Sequence, residues 1–359
     1  MEKMTMQDYI KEAPAVCRNN ITNSKALVKP LIDQLQKKTP GTIWLIASGS
    51  SNNSCHCART LMRRCLDCEV KIITPFTFTY YEHDIKEQDM VLVVSQSGLS
   101  TNAIEALKKL KSMHHDTIAL TGNPNSDIKD YADLVLDYGV GEELVGYVTK
   151  GVTTLCLFLM LFAIEAGNHP EYYKELELAM DLNEEMIEKT QTFVRTHYKN
   201  LTSMRHIYFC GAGSNYGTAL EGTLKAGETI HIPSCCYEIE EYIHGPNLQL
   251  TPEYNVIFFD CNDEASARVK QVYLASRKVS DRVYMISNHP DMKQDPNVLS
   301  LSKTVLSECA PLVNLPFVQL MSYMISSDLN SVKQHPLLKE FKKTASAKTE
   351  NFVNYDDDE

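Results

Sequence analysis

Two stretches of the chain, Ile43 to Leu66 and Ile207 to Ile230, repeat one construction: a short apolar strand runs into a Gly/Ser turn that opens a helix. The first reads IWLIASGSSNNS and the second IYFCGAGSNYGT, and their starts lie 164 positions apart. Near that offset the strand VLVVS at Val91 meets NVIFF at Asn255, and DLVLD at Asp133 meets NVLSL at Asn297. The apolar helix from Val152 meets Pro316 to Ser326. A duplication on this scale constrains the chain to two similar units in succession, each large enough for its own core. The copies differ most at the end of the third strand. There the first has Ser95-Gln96-Ser97-Gly98-Leu99-Ser100 and the second has Asp260-Cys261-Asn262-Asp263-Glu264. Only the first turn reads as built to hold an anion.

Within the first copy, strands are expected at Ile43 to Ala47, Val70 to Thr74, Val91 to Ser95, Thr117 to Thr121 and Leu134 to Asp137. Helices run from the first turn to about Leu66 and over Thr101 to Met113. Strand alternating with helix at this spacing means βαβ units and a mainly parallel sheet with helices on its faces. The expected fold is α/β: two tandem, doubly wound, mainly parallel-sheet domains with flanking helices. Boundaries follow as a helical lead-in over 1–40, a first domain over 41–170, linking helices over 171–200, a second domain over 201–335 and a tail over 336–359. The tail ends in Asp356-Asp357-Asp358-Glu359, which reads as a solvated, disordered end.

A net charge of −11 argues against nucleic acid, because phosphate-backbone binding needs a basic face that the short Lys/Arg clusters do not form. Any phosphate has to be held locally, by hydroxyls, backbone amides and helix ends. The most apolar run, Leu155 to Ile164, is about half the length of a membrane span and reads as a buried helix, so no membrane partner is expected. Eleven cysteines, an odd count with no apolar leader before them, read as thiols in a reducing cytoplasm. Cys55, His56, Cys57, Cys65 and Cys68 invite a metal, but Cys55 and Cys57 on one helix point about 200° apart. No metal and no cofactor is expected.

The stretch Ser95 to Thr101 follows an apolar strand and precedes a helix, so small hydroxyls and helix-start amides converge there on one anion. Gly49-Ser50-Ser51, at the neighbouring strand end, adds donors. In the second copy Glu221, Lys225 and Glu228 stand at i, i+4 and i+7 on one helix face. Periodicity alone reads that face as solvated, with ordinary ion pairs. His244-Gly245-Pro246 is a punctuated turn whose histidine, taken singly, reads as structural.

Together these residues resemble the sugar isomerase (SIS) family, in particular the duplicated isomerase half of glucosamine-6-phosphate synthase and the stand-alone fructosamine 6-phosphate deglycases. The resemblance rests on Gly49-Ser50-Ser51, on Ser95-Gln96-Ser97-Gly98 with Ser100, and on the segment Glu143 to Lys150. It rests also on Ala219-Leu220-Glu221-Gly222-Thr223-Leu224-Lys225 leading to Glu228 and His244-Gly245-Pro246. It implies that Ser50, Ser51, Ser95, Gln96, Ser97 and Ser100 bind a sugar phosphate and that Glu221 and Lys225 line the same site. It further implies that Glu228 moves a proton between C1 and C2, and that His244 assists ring opening, often from the neighbouring subunit of a homodimer. Lys348 is the counterpart of a C-terminal lysine that the synthase uses for a Schiff base.

The activity this implies is cleavage of a 6-phosphorylated Amadori sugar amine, of fructoselysine or glucoselysine 6-phosphate type, to a hexose 6-phosphate and an amino acid. Alternatives are an aldose–ketose phosphosugar isomerase, a glucosamine-6-phosphate deaminase, or a non-catalytic sugar-phosphate sensor. Cys235 and Cys236 are the thiols nearest His244 in sequence, with no role assigned.

Overall fold

A computed structural model describes residues 4–144, 146–331 and 337–353. The acidic end 354–359 and the expected boundary at 335/336 lie outside the described residues. The chain divides into two compact units, residues 4–5, 15–170 and 337–353 in one and 6–14 and 171–331 in the other.

The first unit holds β1 (Thr42–Ala47), β2 (Glu69–Ile73), β3 (Met90–Val94), β4 (Ile118–Thr121) and β5 (Leu134–Asp137). They form one parallel sheet in the order β2-β1-β3-β4-β5. Side chains alternate across it. Trp44, Ile46, Val91, Val93 and Ala119 point to one face, where Phe78 and the apolar side of the helix Thr101–Ser112 (Ala103, Ala106, Leu107, Leu110) cover them. The helix Gly49–Cys65 packs against Lys150–Gly167, which is buried almost all round.

The second unit repeats the plan with β6 (Ile207–Gly211), β7 (Ser234–Glu238), β8 (Asn255–Phe259), β9 (Val283–Ile286) and β10 (Val298–Leu299), ordered β7-β6-β8-β9-β10 and parallel. The expected duplication is visible in the pairing itself: Ile43 faces Val70 as Ile207 faces Ser234, each shifted by the same offset. Tyr242, Val269, Val272 and Tyr273 cover β6, β8 and β9 as Phe78 and its neighbours cover the first sheet. The two parallel five-stranded sheets with flanking helices match the expected fold.

Two helices differ from expectation. The apolar run of ten residues lies inside the longer helix Lys150–Gly167, and the helix expected from about Pro316 spans Ala310–Leu329. The first, and the second taken from Ser307 to Leu329, are long and apolar enough to cross a membrane, but 83% and 89% of their 18-residue apolar stretches are buried within the protein. Pro316 does not start its helix because Pro311 occupies the first turn, where a missing N–H costs nothing. The carbonyl of Leu312, which Pro316 cannot serve, instead accepts a hydrogen bond from Asn183 Nδ2 at 2.6 Å.

Candidate active site

At the C-terminal end of β3 the chain turns through Ser95 to Ser100 before the helix Thr101–Ser112. Gly98 takes φ +62°, and a Cβ there would lie 1.8 Å from Ser126 Oγ, so only glycine makes this turn. The result is a cradle of hydroxyls. Ser95 Oγ donates to Ser100 Oγ at 3.1 Å, and Ser97 Oγ accepts from the amide of Leu99 at 3.3 Å. Lys348 Nζ donates to Ser97 Oγ at 2.9 Å and to Ser100 Oγ at 3.1 Å.

The segment carrying Lys348 is strapped to the turn by backbone bonds. Thr101 N–H donates to the carbonyl of Ala347 and Thr349 N–H to the carbonyl of Leu99, forming a bridge between Ser100 and Lys348. Asn351 Nδ2 ties the strap to Asp127 at 2.9 Å. Burial lowers the pKa of Lys348, because an ammonium loses water there. The cradle therefore presents a desolvated cation among three serine hydroxyls.

Ser50 and Ser51 open the helix Gly49–Cys65 and are buried. The hydrogen bond that joins this turn to the cradle's helix runs one residue earlier, from Asn102 Nδ2 to Ser48 Oγ. Gln96 turns away from the serines, and its Nε2 donates to Glu143 Oε2 at 3.3 Å.

Glu143 belongs to the Glu143 to Lys150 segment, but its own role was not foreseen. Its Oε1 accepts from the amides of Thr149 and Lys150, at 2.9 and 2.6 Å, and its Oε2 from that of Gly151 at 3.1 Å. The carboxylate thus caps the helix Lys150–Gly167 from outside, close enough that a Cβ on Gly151 would meet Oε2 at 2.9 Å. Desolvation outweighs those three amides and the nearby Lys150 and pushes the Glu143 carboxyl above its ordinary range. The sequence signal is a glutamate shortly before a helix start, which local spacing cannot separate from a surface residue. A cavity of about 520 Å3 adjoins the cradle, lined by Gln96, Ser97, Lys348, Glu143, Leu144 and Phe352 among others. Its volume is in the range of small-molecule sites.

In the second unit the helix Tyr216–Lys225 runs on into a π-helical turn, Ala226–Ile230, that carries Glu228. His231, at φ +61°, ends it, its backbone N–H donating to the carbonyl of Ala226. Such turns are rare and recur at functional positions.

The solvated face expected for Glu221, Lys225 and Glu228 is corrected here. Glu221 and Lys225 are 0% exposed and only Glu228 reaches the surface, at 33%. Lys225 Nζ lies 3.3 Å from Glu221 Oε1 and donates to Glu228 Oε2 at 2.8 Å. Burial works against the charge of Lys225, but Glu221 and then Glu228 outweigh it and hold its pKa above the ordinary lysine value. Glu228 Oε1 has no hydrogen-bond partner among the described residues and is open to accept a proton.

His244 stands apart from this group on an exposed turn. Its Nδ1 lies 2.7 Å from the carbonyl of Glu240, which can only accept, so Nδ1 donates there. The Glu240 side chain forms a two-pronged pair with Arg268 at 2.6 and 3.1 Å, and Glu238 caps the same short helix. Of the two thiols nearest in sequence, Cys235 is exposed, while burial pushes that of Cys236 up to about 12.

Comparison with known proteins places this geometry. The chain is 26% identical to a glutamine–fructose-6-phosphate aminotransferase (isomerizing) of Clostridium tetani over 89% of its own length and 55% of that protein's. It therefore spans about half the length of the curated relatives it matches. Among solved structures, one from Clostridium difficile 630 that carries a provisional name as a phosphosugar isomerase superposes with a TM-score of 0.85 at 24% identity, covering 97% of this chain and 100% of that one. A glucosamine-6-phosphate deaminase of Thermotoga maritima superposes with a TM-score of 0.70 at 21% identity, covering 88% of this chain and 95% of that one. At these identities the structural likeness is one of fold. The family model described as the SIS domain matches residues 36–164 and 200–296, one match on each copy of the duplication, and the chain belongs to that family.

Proposed function

We propose that this protein is an enzyme acting on a 6-phosphorylated sugar amine, with deglycation of an Amadori compound as its reaction. The observation that carries the reading is the cradle of Ser95, Ser97 and Ser100 filled by the desolvated ammonium of Lys348. A cation held among hydroxyls, with no carboxylate among the described residues in hydrogen-bond contact, suits a phosphate, whose oxygens accept from all four groups. The adjoining cavity supports a substrate longer than a hexose phosphate. Its lining includes Asp137, Glu142 and Glu143, which suit the ammonium of a sugar amine, with Leu144, Phe352 and Val353 to receive an aliphatic side chain.

In this reading Glu228 takes a proton from C1 of the ketosamine on its open Oε1. The electrons of that C–H bond form the C1–C2 double bond of an enaminol, and the C2 carbonyl oxygen takes up a proton. Return of a proton to C2 leaves an imine between C1 and nitrogen, which water hydrolyses to hexose 6-phosphate and the amino acid. One carboxylate that takes and returns a proton on one face of the enaminol meets this need. Lys225, by donating to Oε2, fixes the orientation of Oε1. His244 assists ring opening by exchanging a proton with the ring oxygen through Nε2, in a homodimer whose subunits share their sites.

A second reading has one observation in its favour: the same fold is found in a glucosamine-6-phosphate deaminase. That reaction would use the same base on a smaller substrate. The test is release of glucose 6-phosphate from fructoselysine 6-phosphate and glucoselysine 6-phosphate in a coupled dehydrogenase assay, with glucosamine 6-phosphate and fructose 6-phosphate in parallel. Release from a glycated lysine that is lost in Glu228→Gln is expected. Turnover of the small sugars alone overturns the deglycase in favour of a deaminase or isomerase, and no turnover of any substrate favours a sensor.

A further inference from the structure

The second unit contains the counterpart of the phosphate cradle, and it is already occupied by a side chain of the protein. Ser95 is the first residue beyond β3 and its amide donates to Leu120 at 3.0 Å; Asp260 is the first residue beyond β8 and its amide donates to Ile286 at 3.1 Å. The two positions are therefore equivalent in the sheets. Both turns that follow pass through the left-handed region, at Gly98, three residues after Ser95 (φ +62°), and at Asn262, two residues after Asp260 (φ +56°). Each leads into a helix that brings a serine back to the strand end, Ser100 in the first unit and Ser266 in the second.

The charge inside the two cradles is reversed. In the first, serine hydroxyls surround the ammonium of Lys348. In the second, donors surround the carboxylate of Asp260, which is 1% exposed. Its Oδ1 accepts from the amide of Asn262 at 3.0 Å and from Ser266 Oγ at 2.7 Å, and its Oδ2 accepts from Ser287 Oγ at 2.6 Å. Ser287 itself follows β9, where Thr121 ends β4 in the first unit. A cavity of about 20 Å3, room for one water, is lined by Cys261, Asn262 and Ser287, next to the residues that hold Asp260, against about 520 Å3 beside the first cradle.

We infer that the second unit retains an oxyanion site whose ligand is the protein's own Asp260 carboxylate, and that removing this carboxylate opens the site to a small external oxyanion of the phosphate class. The donors fit that class: one backbone amide at a turn and two hydroxyls. As the protein stands, this second cradle takes no further anion, because that anion would meet a buried negative charge with no cation among the described residues in hydrogen-bond contact with it. The inference leans on the proposed function only in taking the first cradle as a phosphate site.

The test is calorimetric titration of inorganic phosphate into the full-length protein, Asp260→Ser and Asp260→Asn, each with a thermal melt. Asp260→Ser, which restores the first cradle's residue, is expected to bind one more phosphate per chain than the unchanged protein and to gain more in melting temperature as phosphate is added. Asp260→Asn keeps the space filled and is expected to show neither gain. If Asp260→Ser folds poorly, its melting temperature should recover with phosphate while that of Asp260→Asn does not. Equal phosphate stoichiometry and equal phosphate-dependent melting shifts in Asp260→Ser and the unchanged protein overturn the inference. Failure of the unchanged protein to bind any phosphate would instead count against the proposed function, since the added site is read as a difference.

Discussion

Replacing Lys225 with methionine keeps most of the buried stem and removes one charge from between two carboxylates. Glu221 is fully buried and would be left with no cation at the 3.3 Å position. Removing one partner of a buried ion pair costs about 3–5 kcal/mol, because the remaining charge is desolvated without compensation. Glu228 is one-third exposed, so its share is screened and adds at most about 1 kcal/mol. With a urea slope of about 2–3 kcal/mol per molar, the unfolding midpoint followed by far-UV circular dichroism should fall by about 1–2 M. The double variant Glu221→Leu with Lys225→Met removes both charges and should recover most of that loss, since a buried pair replaced by apolar groups is often neutral.

The pH dependence has a definite sign. Lys225 has its pKa raised in the folded protein, so its contribution is complete below the ordinary lysine value and is lost only as pH rises through the higher folded value. The gap between unchanged protein and Lys225→Met should therefore not close until pH rises above the ordinary lysine value. A shift smaller than about 1 kcal/mol, the worth of a surface pair, or a double variant as unstable as the single one, refutes the reasoning.

Three further outcomes are expected. Ser95→Ala with Ser97→Ala should weaken binding of a 6-phosphorylated ligand by about 3–6 kcal/mol for two hydrogen bonds to a charged group, with little change in melting temperature; unchanged affinity by calorimetry removes the phosphate assignment. Because burial lowers the pKa of Lys348, phosphate affinity should fall as pH rises toward the alkaline range, before an ordinary lysine would lose its proton, and Lys348→Met should abolish that dependence. Subunits carrying Glu228→Gln mixed with subunits carrying His244→Ala should regain part of the activity if the histidine acts across a dimer, and activity no higher than in either variant alone places both groups in one chain's site.

Much of the fold was legible because a duplication prints its own register. Strand ends read from Ile43, Val91 and Ile207 fall within a residue or two of the observed ones, since apolar runs bounded by Gly/Ser turns leave little freedom. The cradle was legible for the same reason, as a hydroxyl-rich turn at a strand end. What local spacing could not reveal is what packs against a face. The i, i+4, i+7 pattern of Glu221, Lys225 and Glu228 is identical whether the helix meets water or the helix Ala310–Leu329, and only the fold decides that it is buried. The π-helical turn at Glu228 left no compositional mark that we could read. Pro316 suggested a helix start for a sound local reason, and a side chain 133 positions away, Asn183, made that reason irrelevant by serving the Leu312 carbonyl.

The strap that brings Lys348 to Ser97 has a consequence for the order in which the protein becomes competent. The two residues are 251 positions apart. A ribosome adding ~5–20 residues per second needs roughly 10–50 s to travel that distance, and domains fold as they emerge. The sheet of the first unit can thus assemble while its cradle still lacks its cation. During that interval a nascent chain is folded at its first half while the Ser97 and Ser100 hydroxyls have no ammonium beside them, and the proposed phosphate site is completed only by the arrival of the strap.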